Sequence, residues 1–241
     1  AAKKEAILRS RVESTRALVD MLRNLPPEQR PGAFLCASAI GFYGHRGDEE
    51  LVETSPPGEG FLAWVVQAWE AEARRAEAAG VRVVLLRHGI VLGTDGGALP
   101  QMLRPFRLGV GGPVGRGEQW VSWIHVADVV GLYRHALAGG ATGGNALAGP
   151  VNATAPHPVR NREFARELGR ILNRPALLPV PVAMIRTLFG EMGEELLLAS
   201  QRVLPQRALA SGFTFRFPHL GPALEDPLGA AEPGPVRTRP G

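Results

Sequence analysis

The stretch VRVVLLR (residues 81–87) decides the fold of this chain. It is a short run dominated by branched apolar residues, which is typical of a β-strand buried on both faces. A second run of this kind, GAFLCASA (residues 32–39), precedes it. A helical pattern over residues 61–79, ended by Gly80, separates the two runs. Strand, helix and strand at this spacing predict an α/β fold with a parallel sheet and helices on its faces.

The same pattern extends in both directions from these two strands. Residues 3–24 predict an amphipathic helix that ends at Pro26 and Pro27. After the second strand, residues 89–93 predict a glycine-rich turn and residues 99–108 a short helix. A third short strand is predicted at residues 145–148. The long loop at residues 40–60 is predicted to be functional or mobile, because bare connections are usually shorter.

The segment GPVGRGEQWVSWIHVADVVGLYRHAL (residues 112–137) joins a glycine-rich loop to a helix. One apolar stripe is predicted on this helix, with Asp128 in the first turn, and consists of Val126, Val129, Val130, Tyr133 and Leu137. Four larger side chains reach the start of the helix together: Gln119, Trp120, Trp123 and His125. Each of them alone would fit a buried aromatic corner. Together they predict a substrate-facing wall, because ligands of α/β folds lie at loop-to-helix junctions.

The composition changes at Pro150. A polar turn at residues 152–158 leads to a helix that Asn161 is predicted to cap. Residues 177–182 are predicted to be extended, residues 182–189 and 191–203 helical, and residues 212–217 a half-buried strand. These elements predict a smaller C-terminal α+β lobe at residues 150–226. The remaining residues 227–241 are rich in Pro, Gly and Ala and predict a disordered tail.

The bulk composition excludes several classes of protein. No apolar run approaches the roughly 20 residues of a membrane helix, so no membrane partner is expected. The single Cys36 rules out an internal disulfide and favours a reducing, cytoplasmic location, with the thiol in the core. The net charge is +4, but the arginines are scattered among glutamates and form no evident stripe. No nucleic-acid partner is therefore predicted. No metal site is predicted either.

Several long motifs closely resemble the atypical extended short-chain dehydrogenase/reductases. Within that group they are similar to the epimerase family proteins, which include proteins labelled as cell-division inhibitors. The resemblance runs from about Ala6 to Leu224. The matching segments are SRVESTRALV (10–19), ASAIGFYG (37–44), VRVVLLRHGIVLG (81–93), FRLGVGGPVGRGEQWVSWIHVADVV (106–130), NREFARELGRIL (161–172) and GEMGEELLLASQRVLPQR (190–207).

The resemblance implies a Rossmann-like, doubly wound parallel sheet that binds NADP or NAD, with NADP favoured. Residues 1–149 would form the NAD(P)-binding domain, with residues 94–124 contributing to the substrate cleft, and residues 150–226 the substrate lobe. The implied cofactor contacts are Arg11, Gly89 and Val91. The implied substrate contacts are Gln119, Trp120, Trp123 and His125, with Arg104 as a candidate partner for an anion. The resemblance is also consistent with a homodimer.

Two parts of the family pattern are missing. The family opens with a strand and a glycine-rich turn for the cofactor pyrophosphate, and no such turn precedes residue 3. We therefore expect βαβ units of about 60 residues ahead of Ala1, since a sheet that begins at Gly32 would leave an uncovered edge. The family's catalytic Ser, Tyr and Lys are also absent. Ala39 replaces the Ser, with Ser38 on the other strand face, and Val65 and Trp69 stand at the Tyr-x-x-x-Lys spacing.

Two functional hypotheses follow for this chain. The first is an NAD(P)-dependent oxidoreductase or epimerase that acts on a nucleotide-linked or similar polar substrate. The second is a catalytically silent NADP-binding protein that regulates or binds a partner. No catalytic residue is assigned, and four side chains stay open as proton carriers: Tyr43, His45, His88 and His125. The missing trio favours the second hypothesis, and the polar aromatic wall favours the first.

Overall fold

A computed structural model describes residues 2–139, 146–176, 178–184, 187 and 194–229. The strands are β1 (Ala33–Ala39), β2 (Glu50–Leu51), β3 (Arg82–His88), β4 (Ile90–Leu92), β5 (Trp120–Val121), β6 (Trp123–His125), β7 (Gly149–Ala153), β8 (Val159–Arg160) and β9 (Arg202–Val203). The helices are α1 (Ala2–Asn24), α2 (Phe61–Arg74), α3 (Ala98–Arg107), α4 (Val126–Ala138), α5 (Asn161–Ile171), α6 (Gln206–Ala210) and α7 (Leu220–Gly229). Short helical turns lie at Pro27–Gln29, Ile40–Tyr43, Arg75–Ala79 and Glu194–Leu198.

The main sheet has three parallel strands in the order β1–β3–β7. Its central strand, β3, is the predicted apolar run, and Val84, Leu85 and Leu86 are fully buried there. Helices α1 and α2 pack on each other and against β1, while α4 also contacts this sheet. The predicted Rossmann-like arrangement of a parallel sheet with helices is therefore confirmed.

The third strand of this sheet was predicted too early in the chain. Residues 146–148 form no ladder, Asn145 lies outside the described residues, and the strand is β7 at Gly149–Ala153. Pro150 and Asn152 made this segment resemble a turn. Proline is tolerated here because β7 lies at an edge of the described sheet. Asn152 is fully buried, but its side chain is hydrogen-bonded to Tyr43 and to the Leu204 carbonyl.

The predicted turn at residues 89–93 is instead the strand β4, which pairs in parallel with β6. The close approach of the two strands explains Gly89, since a Cβ at this position would lie 2.6 Å from the Ser122 carbonyl oxygen. The predicted stripe of α4 is also wrong in part. Val126, Val130 and Leu137 are 43%, 53% and 57% exposed, whereas the buried residues are Asp128, Leu132 and Ala136. This helix is apolar on several faces, so its sequence did not define which face is buried.

Three predictions for the C-terminal part need correction. Asn161 is the first helical residue of α5, not its cap, and its Oδ1 accepts a hydrogen bond from the Val114 amide. Residues 199–203, predicted to be helical, are extended and include β9, while most of residues 185–193 lie outside the described part. Residues 212–217 alternate in burial but form no strand, because the Arg216 and Phe217 amides donate to the Asp128 carboxylate.

The structure describes only the first three residues of the predicted tail, residues 227–229. Helix α7 extends to Gly229, so residues 227–229 are helical, and residues 230–241 lie outside the described residues. The division into a cofactor domain and a lobe at residue 150 stays a prediction. The sheet itself continues to Ala153, the last residue of β7.

A buried network of polar side chains links the elements around the main sheet. The Arg87 guanidinium of β3 forms a bidentate ion pair with Glu70 of α2, with both hydrogen bonds at 2.7 Å. Glu70 also accepts from the Ser38 hydroxyl at 2.6 Å, and Arg87 donates to the Tyr43 hydroxyl at 3.0 Å. These groups are buried, so their mutual hydrogen bonds replace the lost contacts with water.

Replacement of Arg87 by Met should lower the free energy of unfolding by about 3–5 kcal/mol, because it leaves Glu70 as an uncompensated buried charge. The double variant Glu70→Leu/Arg87→Met should recover much of this loss. Urea unfolding followed by circular dichroism measures both values. Arg16→Met, which removes an exposed pair with Glu72, is the matched control and should change stability little. Equal effects of Arg87→Met and Arg16→Met would contradict the structural role of the buried pair.

Candidate functional site

A cavity of about 440 Å³ lies beside the carboxyl end of β1, at the start of α2. Ligands of open α/β sheets bind at this edge, outside the carboxyl ends of the strands. The volume is within the usual range for small-molecule sites. The cavity is lined by Gly41, Gly44, His45, Glu59, Leu62, Ala63, Glu195, Leu198, Ala199 and Gln201.

Backbone packs directly on backbone at one wall of this cavity. A Cβ on Gly58 would lie 2.0 Å from the Tyr43 carbonyl oxygen, so no larger residue fits there. Gly44 has φ +61°, and a Cβ on it would lie 2.8 Å from the Glu59 carbonyl oxygen. These two glycines hold residues 43–44 against residues 58–59, which places His45 and Glu59 beside the cavity.

Polar side chains from distant parts of the chain are fixed around the cavity. The Glu195 carboxylate accepts the Phe61 and Leu62 amides at 3.1 and 2.7 Å, which satisfies the positive N-terminal end of α2. His45 Nδ1 accepts the Ser200 amide at 3.0 Å, so the neutral ring carries its proton on Nε2. The Gln201 amide donates to the carbonyls of Ile40 and Gly44.

The helix positions that face the carboxyl end of β1 cannot transfer a proton. A Cβ on Gly41 would lie 3.8 Å from Leu62 Cβ and 3.9 Å from Val66 Cγ2, so these two residues of α2 face the strand end. Of the positions that the sequence suggested, Val65 is buried and Trp69 donates its indole proton to Thr15 of α1. Both the pair that faces the strand end and the pair that the sequence spacing suggested therefore have apolar side chains.

The structure separates the four residues of the predicted substrate wall. None of them lines the cavity, although the Gln119 amide donates to the Val114 and Leu197 carbonyls, next to the lining residue Leu198. Trp120 contacts two guanidinium groups, from Arg160 and Arg202, at 4.1 and 4.8 Å from its ring centroid.

Trp123 and His125 are buried in the core instead of facing a cleft. Trp123 is fully buried, and its Nε1 has no hydrogen-bond partner within the described residues. His125 Nδ1 accepts the Ala127 amide at the start of α4, and its Nε2 lies 3.4 Å from an oxygen of Asp226. Phe217 packs on the His125 ring.

The predicted cofactor and anion contacts also lie outside this cavity. The Arg11 guanidinium is exposed, lies 5.5 Å from the Trp69 ring centroid and donates to the Ser10 hydroxyl. Gly89 packs on Ser122, and Val91 belongs to β4. Arg104 is exposed on α3.

Of the four residues left open as proton carriers, only His45 lines the cavity. Tyr43 is fully buried and burial raises its pKa, while its hydroxyl bonds to Arg87, Val52 and Asn152. Burial lowers the pKa of His88 and of His125. His88 Nδ1 contacts the Ser38 carbonyl, and its ring stacks on Tyr133.

Three polar residues of the cavity were missed by the sequence analysis: Glu59, Glu195 and Gln201. Glu195 and Gln201 fall in a segment with a helical pattern, where a carboxylate or an amide normally indicates only a solvated face. Their partners are 133–161 residues away in the chain. No local pattern in the sequence signals such contacts.

A Rossmann-like sheet with a cavity at its carboxyl edge, closed by a C-terminal segment, defines the class of dinucleotide-binding α/β folds. The family model of the NAD dependent epimerase/dehydratase family matches residues 1–149, and a domain of unknown function (DUF1731) matches residues 180–226. The chain therefore belongs to the NAD-dependent epimerase/dehydratase family.

Named relatives agree with this assignment. The chain is 43% identical to the Arabidopsis thaliana epimerase family protein SDR39U1 homolog, chloroplastic, over 92% of this chain and 62% of that protein. The crystal structure of human epimerase family protein SDR39U1 (isoform2) with NADPH superimposes with a TM-score of 0.88 at 37% identity, covering 95% of this chain and 76% of that one. A nucleoside-diphosphate sugar epimerase from Corynebacterium glutamicum gives 0.77 at 35% identity, covering 95% and 44%.

The described residues contain neither a membrane-spanning helix nor a group of side chains that could hold a metal ion. Among them no helix is long and apolar enough to cross a membrane. No group of three or more His, Cys, Asp or Glu side chains in these ranges could hold a metal ion. Cys36 is buried, as predicted, and burial raises the pKa of its thiol to about 11.

The pKa of His88 predicts a pH-dependent stability. Because burial lowers this pKa below its ordinary value of 6.5, the unfolded chain binds more protons than the folded chain below that pH. The free energy of unfolding should therefore fall as the pH decreases through this range. His88→Phe, which keeps an aromatic ring beside Tyr133, should flatten the fall in urea midpoint between pH 7.5 and 5. An equally steep fall in the variant would contradict the assignment, and His157→Phe, on the surface, is the control.

Proposed function

We propose that this chain belongs to an NAD(P)-dependent oxidoreductase or epimerase that acts on a nucleotide-linked or similar polar substrate, with NADPH as the favoured cofactor. The cavity beside the carboxyl end of β1 carries this proposal, because anchored polar side chains surround it where such folds bind the reacting groups. The human relative whose structure contains NADPH supports the choice of cofactor. The Corynebacterium relative, described as a nucleoside-diphosphate sugar epimerase, supports the class of substrate.

The described residues that line the cavity fit the nicotinamide end of such a cofactor. Leu62, Ala63 and Leu198 offer an apolar wall for a flat ring, and the described lining contains no lysine or arginine to repel an oxidised nicotinamide. No strand of the main sheet within the described ranges leads directly into a glycine-rich turn at a helix N-terminus, which is the usual cradle for a pyrophosphate. A bound nicotinamide supplies or accepts hydride at its ring.

The residues of this chain would supply hydrogen bonds and positioning. His45 is the proposed hydrogen-bond donor to a substrate oxygen, because its Nδ1 accepts the Ser200 amide and its neutral ring therefore presents Nε2–H. Glu195 would orient the start of α2, and Leu62 with Val66 would exclude water beside the strand end. The acceptor oxygens of Glu59 and Glu195 favour substrates rich in hydroxyl groups.

The earlier contact assignments stay proposals. They are cofactor contacts at Arg11, Gly89 and Val91, and substrate contacts at Gln119, Trp120, Trp123 and His125. For the last two, the burial of both rings means that any substrate contact would need movement of the surrounding core. A cytoplasmic location and a homodimer are proposed as well. The exposed apolar residues Leu18 and Met21 of α1 and Trp64 of α2 support self-association.

A second candidate function is a catalytically silent NADPH-binding protein. One observation favours it, since the side chains that face the end of β1 from α2 are Leu62 and Val66. Neither can act as an acid or a base. A regulatory protein would keep the fold and the cofactor but not the proton-transfer groups.

Replacement of His45 by Ala should reduce turnover about 100-fold, because removal of one positioned hydrogen-bond donor costs a rate factor of this order. NADPH affinity should change less than about twofold, since this donor acts mainly in the transition state. Fluorescence titration of NADPH and a screen of sugar nucleotides for cofactor-linked turnover, both on the full-length natural protein, measure the two quantities. Tight NADPH binding without turnover of any substrate would favour the silent protein. Absence of NADPH and NADH binding would reject both candidates.

Replacement of Arg11 by Ala should weaken NADPH binding about tenfold if the guanidinium contacts the dinucleotide, as charge-assisted hydrogen bonds do. Arg9→Ala on the same helix, where Arg9 pairs with Glu13, is the matched control. The same titration measures both variants. An Arg11→Ala protein with unchanged affinity would remove this cofactor contact and leave the guanidinium as a surface group on Trp69.

A further inference from the structure

Helix α5 carries a regular row of arginines. Arg162, Arg166 and Arg170 are spaced by four residues, so they lie on one face of the helix. Arg174 continues the same spacing just beyond the helix end. Each is separated from the next by three other residues, so the row was not evident in the sequence as a block of charge. The earlier conclusion that the arginines form no stripe is therefore wrong for this helix.

The turn after α5 folds back so that Arg174 joins the row. Asn173 has φ +50°, a left-handed conformation that is rare outside glycine. The Asn173 amide donates to the Arg170 carbonyl, and the Arg174 amide donates to the Gly169 carbonyl at 2.9 Å, as in a Schellman motif. A Cβ on Gly169 would lie 2.7 Å from the Arg174 carbonyl oxygen. Glycine at this position thus lets the returning segment lie against the helix.

The four arginines line one groove of about 690 Å³. Its other lining residues are neutral, namely Pro113, Gly169, Asn173, Pro175 and Ala176. Among the described residues, every charged side chain in the lining is therefore a guanidinium. The volume falls within the range of small-molecule sites.

The arginines differ in their existing partners. Arg162 pairs with Glu118, and Arg170 pairs with Glu167 and Glu225, but none of these carboxylates lines the groove. Arg166 and Arg174 are exposed and have no ion-pair or hydrogen-bond partner for their guanidinium groups among the described residues. Two cations that face one groove without counter-charges repel each other, so the groove favours an anionic ligand.

Helix stability alone does not account for this row. Cations near a helix C-terminus are stabilised by the helix dipole, which explains Arg170 and Arg174. Arg162 is in the first turn of α5, where the dipole disfavours a cation, and like charges four residues apart are mildly unfavourable. The ion pair with Glu118 compensates Arg162. Arg166, in the middle of the helix and without a counter-charge among the described residues, is the position that needs another reason.

We propose that this groove binds a small anion with two or three linked phosphates. Guanidinium groups match phosphate oxygens with paired, charge-assisted hydrogen bonds, and several of them in a row match a chain of phosphates. A volume of about 690 Å³ suits a small ligand. Free inorganic oligophosphate and the phosphate tail of a nucleotide share this chemistry. The site is separate from the cavity beside β1, because the two have no lining residue in common.

The test is calorimetric titration of the full-length natural protein with inorganic triphosphate. The variant Arg166→Gln/Arg174→Gln should bind triphosphate at least about tenfold more weakly, because it removes two charge-assisted contacts. The control Arg23→Gln/Arg134→Gln removes the same charge from exposed residues of α1 and α4, and should change affinity less than about twofold. Circular dichroism melting confirms that each variant is folded. A parallel titration with ATP distinguishes the sources, since tighter binding than triphosphate would indicate a nucleotide.

Three results with triphosphate or DNA, and a fourth with NADPH, would overturn the proposal. One is no binding of triphosphate at 1 mM, and another is equal weakening in both double variants, which would show only a general effect of net charge. The third is a 20-nucleotide single-stranded DNA that binds more tightly than triphosphate and depends on Arg166 and Arg174, which would indicate a nucleic-acid surface. NADPH affinity should stay unchanged in the Arg166→Gln/Arg174→Gln variant. A parallel loss of NADPH binding would show that the groove belongs to the cofactor and is not a separate site.

Discussion

The ion pair between Arg87 and Glu70 is the interaction on which the candidate site depends. It joins β3 to α2 in the interior, and through Ser38 and Tyr43 it reaches β1 and the turn that follows it. Tyr43 in turn bonds to Asn152 of β7, so all three strands of the main sheet are connected near their carboxyl ends. A charged network in this position holds the strand ends in register, because any displacement would leave a buried charge without its partner.

One side of the cavity is held by this network, and the other side is formed by the C-terminal segment. Tyr43 immediately precedes Gly44 and His45, which line the cavity. From the opposite side, the Ser200 hydroxyl donates to the Gly47 carbonyl, and β9 pairs with β2. The long loop at residues 40–60 is therefore held by two distant parts of the chain. This arrangement explains how a loop with many glycines and prolines can present His45 and Glu59 in a defined geometry.

Burial also distinguishes polar side chains that are equivalent candidates in the sequence. His45, His88 and His125 were equal candidates for proton transfer, but only His45 borders a cavity, whereas the other two pack against aromatic rings in the interior. The same is true of the arginines. Arg87 is buried within an ion pair, and Arg166 and Arg174 face an open groove without counter-charges. Environment, not residue type, thus decides which of these groups can meet a ligand.

The sequence by itself determined the class of fold. Buried parallel strands are continuous apolar runs, and residues 32–39 and 81–87 keep this signal whatever their partners are. It also determined the family to which the chain belongs. Only the tertiary structure decided that β7 begins at Gly149, that Trp123 and His125 belong to the core, and that Glu195 reaches the start of α2. Such facts depend on contacts between residues more than 60 positions apart or on which side of an element is covered, and local periodicity carries no information about either.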